Sequence, residues 1–409
     1  MSRKWLEKET PIWVERGIVT REQADQLLSM YETKNHAVGL LPILGSILVG
    51  LGILSFIAAN WQDIPQLVRL AMIVLLLIGF YGGGELALRR GHDRLGIALV
   101  SLGVVSFGGG IVLIGQMFHL VSYNAGTFIL WACAGMAATF IYRSRYLYLL
   151  SLLLFDIAQW YGAAEFGSFS YTAFALLVAG LGFYGWKWRH PLLIWCFSFS
   201  VTVQALMWAI VSDVPFLWMF IPAMALYVLS DWLKEERRGG YALQTAPLAA
   251  AFIFAIVMVM AGHGRGLADD SRLLAEPLYY FGALVLLFGV SLIGKLRNGR
   301  ASSAFEWILL APFVYLPSGV DVLYLLATFF FSLYVLWRGY AEEWRFKINF
   351  GTVLFICSTM VAYGKLTWDF MDKSLFFILG GCILIGLSWF LNRRKKRFFD
   401  DTKEGNRHV

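Results

Sequence analysis

Long apolar runs separated by short polar connections constrain this chain more than any other feature. A helix rising about 1.5 Å per residue needs roughly 20 apolar residues to cross a hydrocarbon layer of about 30 Å. Fourteen stretches approach that length: 38–59, 67–88, 96–118, 126–142, 146–164, 169–186, 191–211, 215–233, 244–262, 276–295, 303–317, 320–337, 347–363 and 374–391. The eleventh is short and carries Pro312. A lipid solvent leaves no partner for unpaired backbone groups, so each span is expected to be helical and the fold all-α, a polytopic transmembrane bundle.

Hydrophobic residues are 59% of the 409 and charged residues 15%. Soluble domains carry about 25% charged residues, so a water-soluble core does not account for this chain. The formal charge of +7 does not point to nucleic acid, because the basic residues flank the spans. With the N-terminus inside, they fall in every second connection: Arg89, Arg90 and Arg94; Arg143 and Arg145; Lys187 and Arg189; Lys234, Arg237 and Arg238; Lys295, Arg297 and Arg300; Arg338, Arg345 and Lys347. Both chain ends add to the same side. Only Arg69, Arg265, Arg272, Lys365 and Lys373 fall opposite. The positive-inside rule then predicts a multi-pass membrane protein with both termini cytoplasmic.

Three regions are expected: a hydrophilic hairpin over 1–37, the bundle over 38–391, and a basic tail over 392–409. No apolar leader opens the chain, so no cleaved signal is expected. In the hairpin, Thr20 and Gln23 have capping-box spacing ahead of Ala24, Leu27 and Leu28. A hairpin this small buries too little apolar surface alone. It is expected to dock on the bilayer surface, on the loops, on a second copy or on a cytoplasmic partner.

Two phosphate-loop look-alikes are set aside. Gly180-Leu-Gly-Phe-Tyr-Gly185 fits GxGxxG, and Gly289 to Lys295 fits most of a Walker A pattern. Both fall within apolar spans with no strand before them, and Leu296 replaces the magnesium-binding hydroxyl. Helix packing explains the glycines, and a membrane-edge position explains Lys295. Cys133, Cys196, Cys357 and Cys382 show no metal-ligand or disulfide spacing, and neither cofactor nor metal is expected.

Polar residues inside spans are costly, so each needs a partner or a use. Glu85 lies one turn from Arg89 and reads as an i,i+4 ion pair. Asp156 is the deepest carboxylate by position, with Gln159 and Trp160 at i+3 and i+4. It is either a helix-locking acid or part of a functional surface. A second set gathers at the outer ends of the first three spans: Asn60, Trp61, Asp63, Arg69, Gln116 and His119. Arg69 is the natural counter-ion there for Asp63 or an anionic ligand, and interfacial capping is the competing reading. Together with Asp156 and Gln159 these form the candidate binding cluster; no catalytic residue is assigned.

The run Gly50-Leu-Gly-Ile-Leu-Ser-Phe-Ile-Ala-Ala-Asn-Trp61, with Arg69 and Gly115-Gln-Met-Phe-His119, resembles a bacterial predicted-membrane-protein family, number two-one-five-seven among the domains of unknown function. Trp13, Gly17, Ile18, Val19, Thr20, Gln23, Leu27 and Tyr31 fit its N-terminal hairpin. The resemblance covers roughly residues 1–125 and implies a protein of the bacterial cell (inner) membrane without supplying an activity.

Three functions compete. Many spans with short loops leave no soluble mass for a catalytic domain, which favours transport or flipping of a small or lipid-linked envelope substrate; Pro42, Pro222, Pro247 and Pro312 could break helices around its site. A membrane-embedded transferase would use Asp63 or Asp156 as base. A non-catalytic scaffold or sensor would recruit its partner through residues 1–37.

Overall fold

The structure, a computed structural model, describes residues 9–11, 13–17, 19–24, 64–120, 122–188, 190–232, 237–261, 274, 276–316, 319–367 and a few positions between 378 and 389. The expected span at 38–59 and most of the span at 374–391 lie outside the described residues. The chain divides into two compact units, residues 1–73 and 74–409.

In the first unit the capping box forms. Thr20 N–H donates to Gln23 Oε1 at 3.0 Å, and Gln23 N–H donates to Thr20 Oγ1 at 3.3 Å. Gly17, at φ +66°, ends the preceding helical stretch in the left-handed region, its N–H on the Val14 carbonyl.

Every regular element among the described residues from Gln66 onward is helical. Helices α1 (Gln66–Arg89), α2 (Asp93–Met117), α3 (Gly126–Tyr142) and α4 (Arg145–Phe166) come first. A single apolar stretch follows as α5 (Tyr171–Leu176), a π turn (Leu177–Gly182) and α6 (Phe183–Trp188). Then come α7 (Pro191–Val211), a 3₁₀ turn (Phe216–Met219) leading into α8 (Phe220–Trp232), α9 (Arg237–Ala261) and α10 (Pro277–Arg297). Two 3₁₀ segments, Ala301–Leu310 and Phe313–Tyr315, precede α11 (Val320–Ala341) and α12 (Arg345–Thr367).

Among the described residues, eight helices are long and apolar enough to cross a membrane. Of the other expected spans, 126–142 is a shorter apolar helix, 169–186 contains the π turn, 215–233 opens with a 3₁₀ turn, and 303–317 is two 3₁₀ pieces. Outward faces support lipid as the solvent: Leu75 and Ile78 on α1, Ile253 and Val257 on α9, and Val285 and Leu286 on α10 are all exposed. Water would not tolerate so continuous an apolar surface.

The second unit has two hydrophobic cores. One gathers Val100, Leu147, Phe155, Leu177 and Leu193 from α2, α4, the π turn and α7. The other gathers Leu248, Leu284, Leu309, Tyr324 and Phe331 from α9 through α11. Helices α8 and α9 serve both, Leu226 and Leu243 facing the first core while Tyr227 and Leu248 face the second. Where α11 crosses α12 the backbones touch: a Cβ on Gly339 would stand 2.8 Å from Ile348 N, and one on Gly351 2.7 Å from Leu336 N. Small residues permit that approach in lipid.

Two expectations about helix breakers divide. Pro247 lies inside α9 without ending it. Proline lacks the N–H that would bond the carbonyl four residues earlier, and here Ser198 Oγ on α7 donates to that carbonyl, Leu243 O, at 2.8 Å. Pro312 does mark a break, between the two 3₁₀ pieces. The glycines of the GxGxxG look-alike are packing sites, Gly180 against Met136, Gly182 against Phe197 and Gly185 against Tyr148.

Candidate functional site

Of the sequence-predicted cluster, Asn60, Trp61 and Asp63 lie outside the described residues. Arg69 is in the first unit, where its Nε donates to the Ile64 carbonyl at 2.6 Å. Gln116 and His119 are exposed at and just beyond the end of α2, His119 at φ +50°. Glu85 and Arg89 form the expected i,i+4 pair at 2.9 Å.

Asp156 and Gln159 come together, through partners on α7. Asp156 Oδ1 accepts from Ser200 Oγ at 2.6 Å and from Gln204 Nε2 at 2.9 Å. Gln204 Oε1 in turn accepts from Gln159 Nε2 at 3.4 Å, and Gln159 exchanges two further bonds with the Ser170 backbone, at 2.9 and 3.0 Å. Trp160, expected on the same face, points outward instead. The result is an uncharged clamp on one carboxylate, holding α4, α7 and the start of α5.

A different cluster carries more charge. Asp231 and Lys295 form an ion pair at 2.9 Å with each side chain 1% exposed, and Glu306, 2% exposed, lies one hydroxyl away. Lys295 Nζ donates to Asp231 Oδ1, Tyr227 Oη and Ser303 Oγ, each at 2.9 Å. Tyr227 Oη donates to Glu306 Oε2 at 2.6 Å. Asp231 also accepts from Gln244 Nε2 at 2.9 Å and Ser291 Oγ at 2.5 Å, while its backbone carbonyl takes Asn298 Nδ2 at 2.6 Å.

Helical spacing builds this constellation. Tyr227 and Asp231 are i,i+4 on α8, and Ser291 and Lys295 are i,i+4 on α10, so each pair shares a face. Ser303 and Glu306 are i,i+3 on the 3₁₀ segment, where residues three apart stack in line. Aromatic rings close it off: Trp307 packs edge-on to Tyr227 and Phe288 and donates to Ser291 Oγ at 3.3 Å, and Lys295 Nζ lies 4.7 Å from the Tyr227 ring centre. Lys295 is therefore not the membrane-edge lysine expected from sequence. It turns inward because Asp231 holds it there.

A second charged set borders the same 3₁₀ segment. Arg338 reaches Ser302 Oγ at 3.1 Å and Glu342 at 2.7 Å, and Lys347 bridges Glu342 at 3.2 Å while lying over the Tyr241 ring. Tyr241 Oη and Arg338 Nε are buried without hydrogen-bond partners in this set. Buried donors of that kind call for a water or a ligand. Among the described residues, no group of three His, Cys, Asp or Glu side chains is arranged to hold a metal ion.

Residues 11–148 match the family model described as Predicted membrane protein (DUF2157). The match spans about a third of the chain and ends before Asp156, so both buried clusters lie beyond it. No curated protein and no solved structure matches the chain. Membrane character is thus supported twice, by the family description and by the apolar helices.

Proposed function

We propose that this membrane protein is a transporter or flippase of a small or lipid-linked envelope substrate, coupled to protons through Asp231, Lys295 and Glu306. One observation carries the reading: the cluster sets two buried carboxylates against a single ammonium in direct contact. A matched ion pair would suffice to pin helices, and a charge in a span costs about 2.5–3.5 kcal/mol on insertion scales. Within these contacts Glu306 has a tyrosine hydroxyl and no cation as its partner, the arrangement a site for an exchangeable proton requires. Tyr227 connects the two acids through Lys295 and gives that proton a route between them.

The carrier of Glu306 supports the same reading. Interrupted helices are where transporters place coupling-ion sites, and Glu306 stands on a 3₁₀ segment that stops at Leu310, just before Pro312. The substrate class rests on span number and short loops alone, which is a fold-level analogy. The test is a pH jump on proteoliposomes adsorbed to a solid-supported membrane. Wild-type protein should give a transient charge displacement, Glu306→Gln should lack it, and Asp156→Asn should keep it. No transient in the wild type, or an undiminished one in Glu306→Gln, would remove the proposal.

A further inference from the structure

A cavity of about 780 Å³ opens between α2, α4 and the start of α7, at the end of the bundle where the basic connections lie. It is unrelated to the Asp231 cluster. Its chemistry is two-sided. Arg94 and Arg145 stand at the rim, both exposed and neither with a carboxylate partner among the described residues, and His190 lines it beside them. Asp93 is the one acidic side chain in the lining. Behind the rim the wall is apolar, with Ile97, Leu149 and Leu193.

His190 supplies an independent mark. Its Nδ1 is buried and has no hydrogen-bond partner, although its backbone carbonyl caps the first turn of α7 by accepting from Leu193 and Ile194 N–H. A buried ring nitrogen left unpaired calls for a polar partner, and the two arginines in the same lining, with no carboxylate partner among the described residues, favour an anionic one.

We infer that this cavity binds an anionic phospholipid of the adjacent leaflet, its phosphate between Arg94, Arg145 and His190 and its upper acyl chain along Ile97 and Leu149. The basic rim fits a phosphate and the apolar wall fits a chain. A free phosphate would leave the wall unused. The volume falls in the usual range for a specific small-molecule site, about 300–1,000 Å³. Basic pockets between transmembrane helices at the headgroup level are physically suited to such lipids.

The test uses the purified full-length chain in detergent, with lipid retention read by native mass spectrometry at equal concentrations of dioleoyl-phosphatidylglycerol and dioleoyl-phosphatidylcholine. Wild type should retain the anionic lipid preferentially. Arg94→Gln with Arg145→Gln should weaken that retention by roughly 30-fold, from two cations near the membrane surface. Arg297→Gln, an exposed arginine outside the cavity, should not change it. Ala98→Trp, on an exposed lining position, fills the cavity without touching its charges and should also lose the lipid. Equal retention of both lipids, or an Arg297→Gln loss as large as that of the double variant, would overturn the inference. Inorganic phosphate displacing the lipid at matched concentration would overturn it too, by assigning the rim to a soluble anion. If the double variant does not fold, unchanged retention in Ala98→Trp is enough to reject it.

Discussion

The two halves of the second unit bury carboxylates in opposite ways. Around Asp156, both partners are neutral, a serine and a glutamine, and the glutamine accepts from a second glutamine that ties back to the chain. Around Asp231, the first partner is a buried ammonium, and a second carboxylate waits beyond a tyrosine hydroxyl. A neutral clamp fixes one arrangement of helices and asks nothing of its surroundings. A cluster whose contacts hold two carboxylates and one ammonium is the arrangement from which the proposed proton coupling is argued. That contrast is why the proton-coupling reading rests on Glu306 and not on Asp156, although Asp156 is the acid that sequence position singles out.

Substitutions can break this contrast, and the largest effect should come from Lys295→Met. Removing the ammonium leaves Asp231 buried and uncompensated, for a loss of about 3–5 kcal/mol in reversible unfolding from detergent micelles. Combining it with Asp231→Asn should recover most of that loss; a double variant as unstable as the single one would mean that the pair is not the dominant interaction. Gln204→Leu should cost less, about 1–3 kcal/mol, by removing a donor from Asp156 and an acceptor from Gln159. Smallest of all, Asp156→Asn keeps shape and can still bond Ser200, and should shift stability by about 1 kcal/mol or less. If Asp156→Asn proved as damaging as Lys295→Met, the two regions would not differ in kind.

What the sequence made legible follows from period and cost. Eight of the span positions, the all-helical fold of the described residues, the Thr20 and Gln23 box and the Glu85 and Arg89 pair all depend on residues close together in the chain, and each appears in the structure. The packing role of the glycines in the GxGxxG look-alike was equally readable, because no strand could precede them. The Asp231 cluster was not. Its members come from α8, α9, α10 and a 3₁₀ segment, and Lys295 stands near enough to a helix end to pass for an interfacial lysine. A signal was nevertheless present: Tyr227 with Asp231, Ser291 with Lys295 and Ser303 with Glu306 are three polar pairs at helical spacing in otherwise apolar runs. Single polar residues in spans draw the eye to depth, whereas pairs at i+3 or i+4 mark a face. The rescue of the Leu243 carbonyl by Ser198 was likewise invisible, since nothing in the chain order links α7 to α9.

The 3₁₀ segment Ala301–Leu310 has a mechanical implication. Ten residues wound at about 2.0 Å each would contract by roughly 5 Å if rewound at the α rise of about 1.5 Å. The tighter coil also advances about 120° per residue against about 100°, so the same rewinding would swing Glu306 by roughly 100° about the axis relative to Ala301. Pro312, two residues past the end of the segment, lacks the N–H that a helix continued through it would need, so such a rewinding would be confined to the residues before it, and Glu306 is the acid it would move.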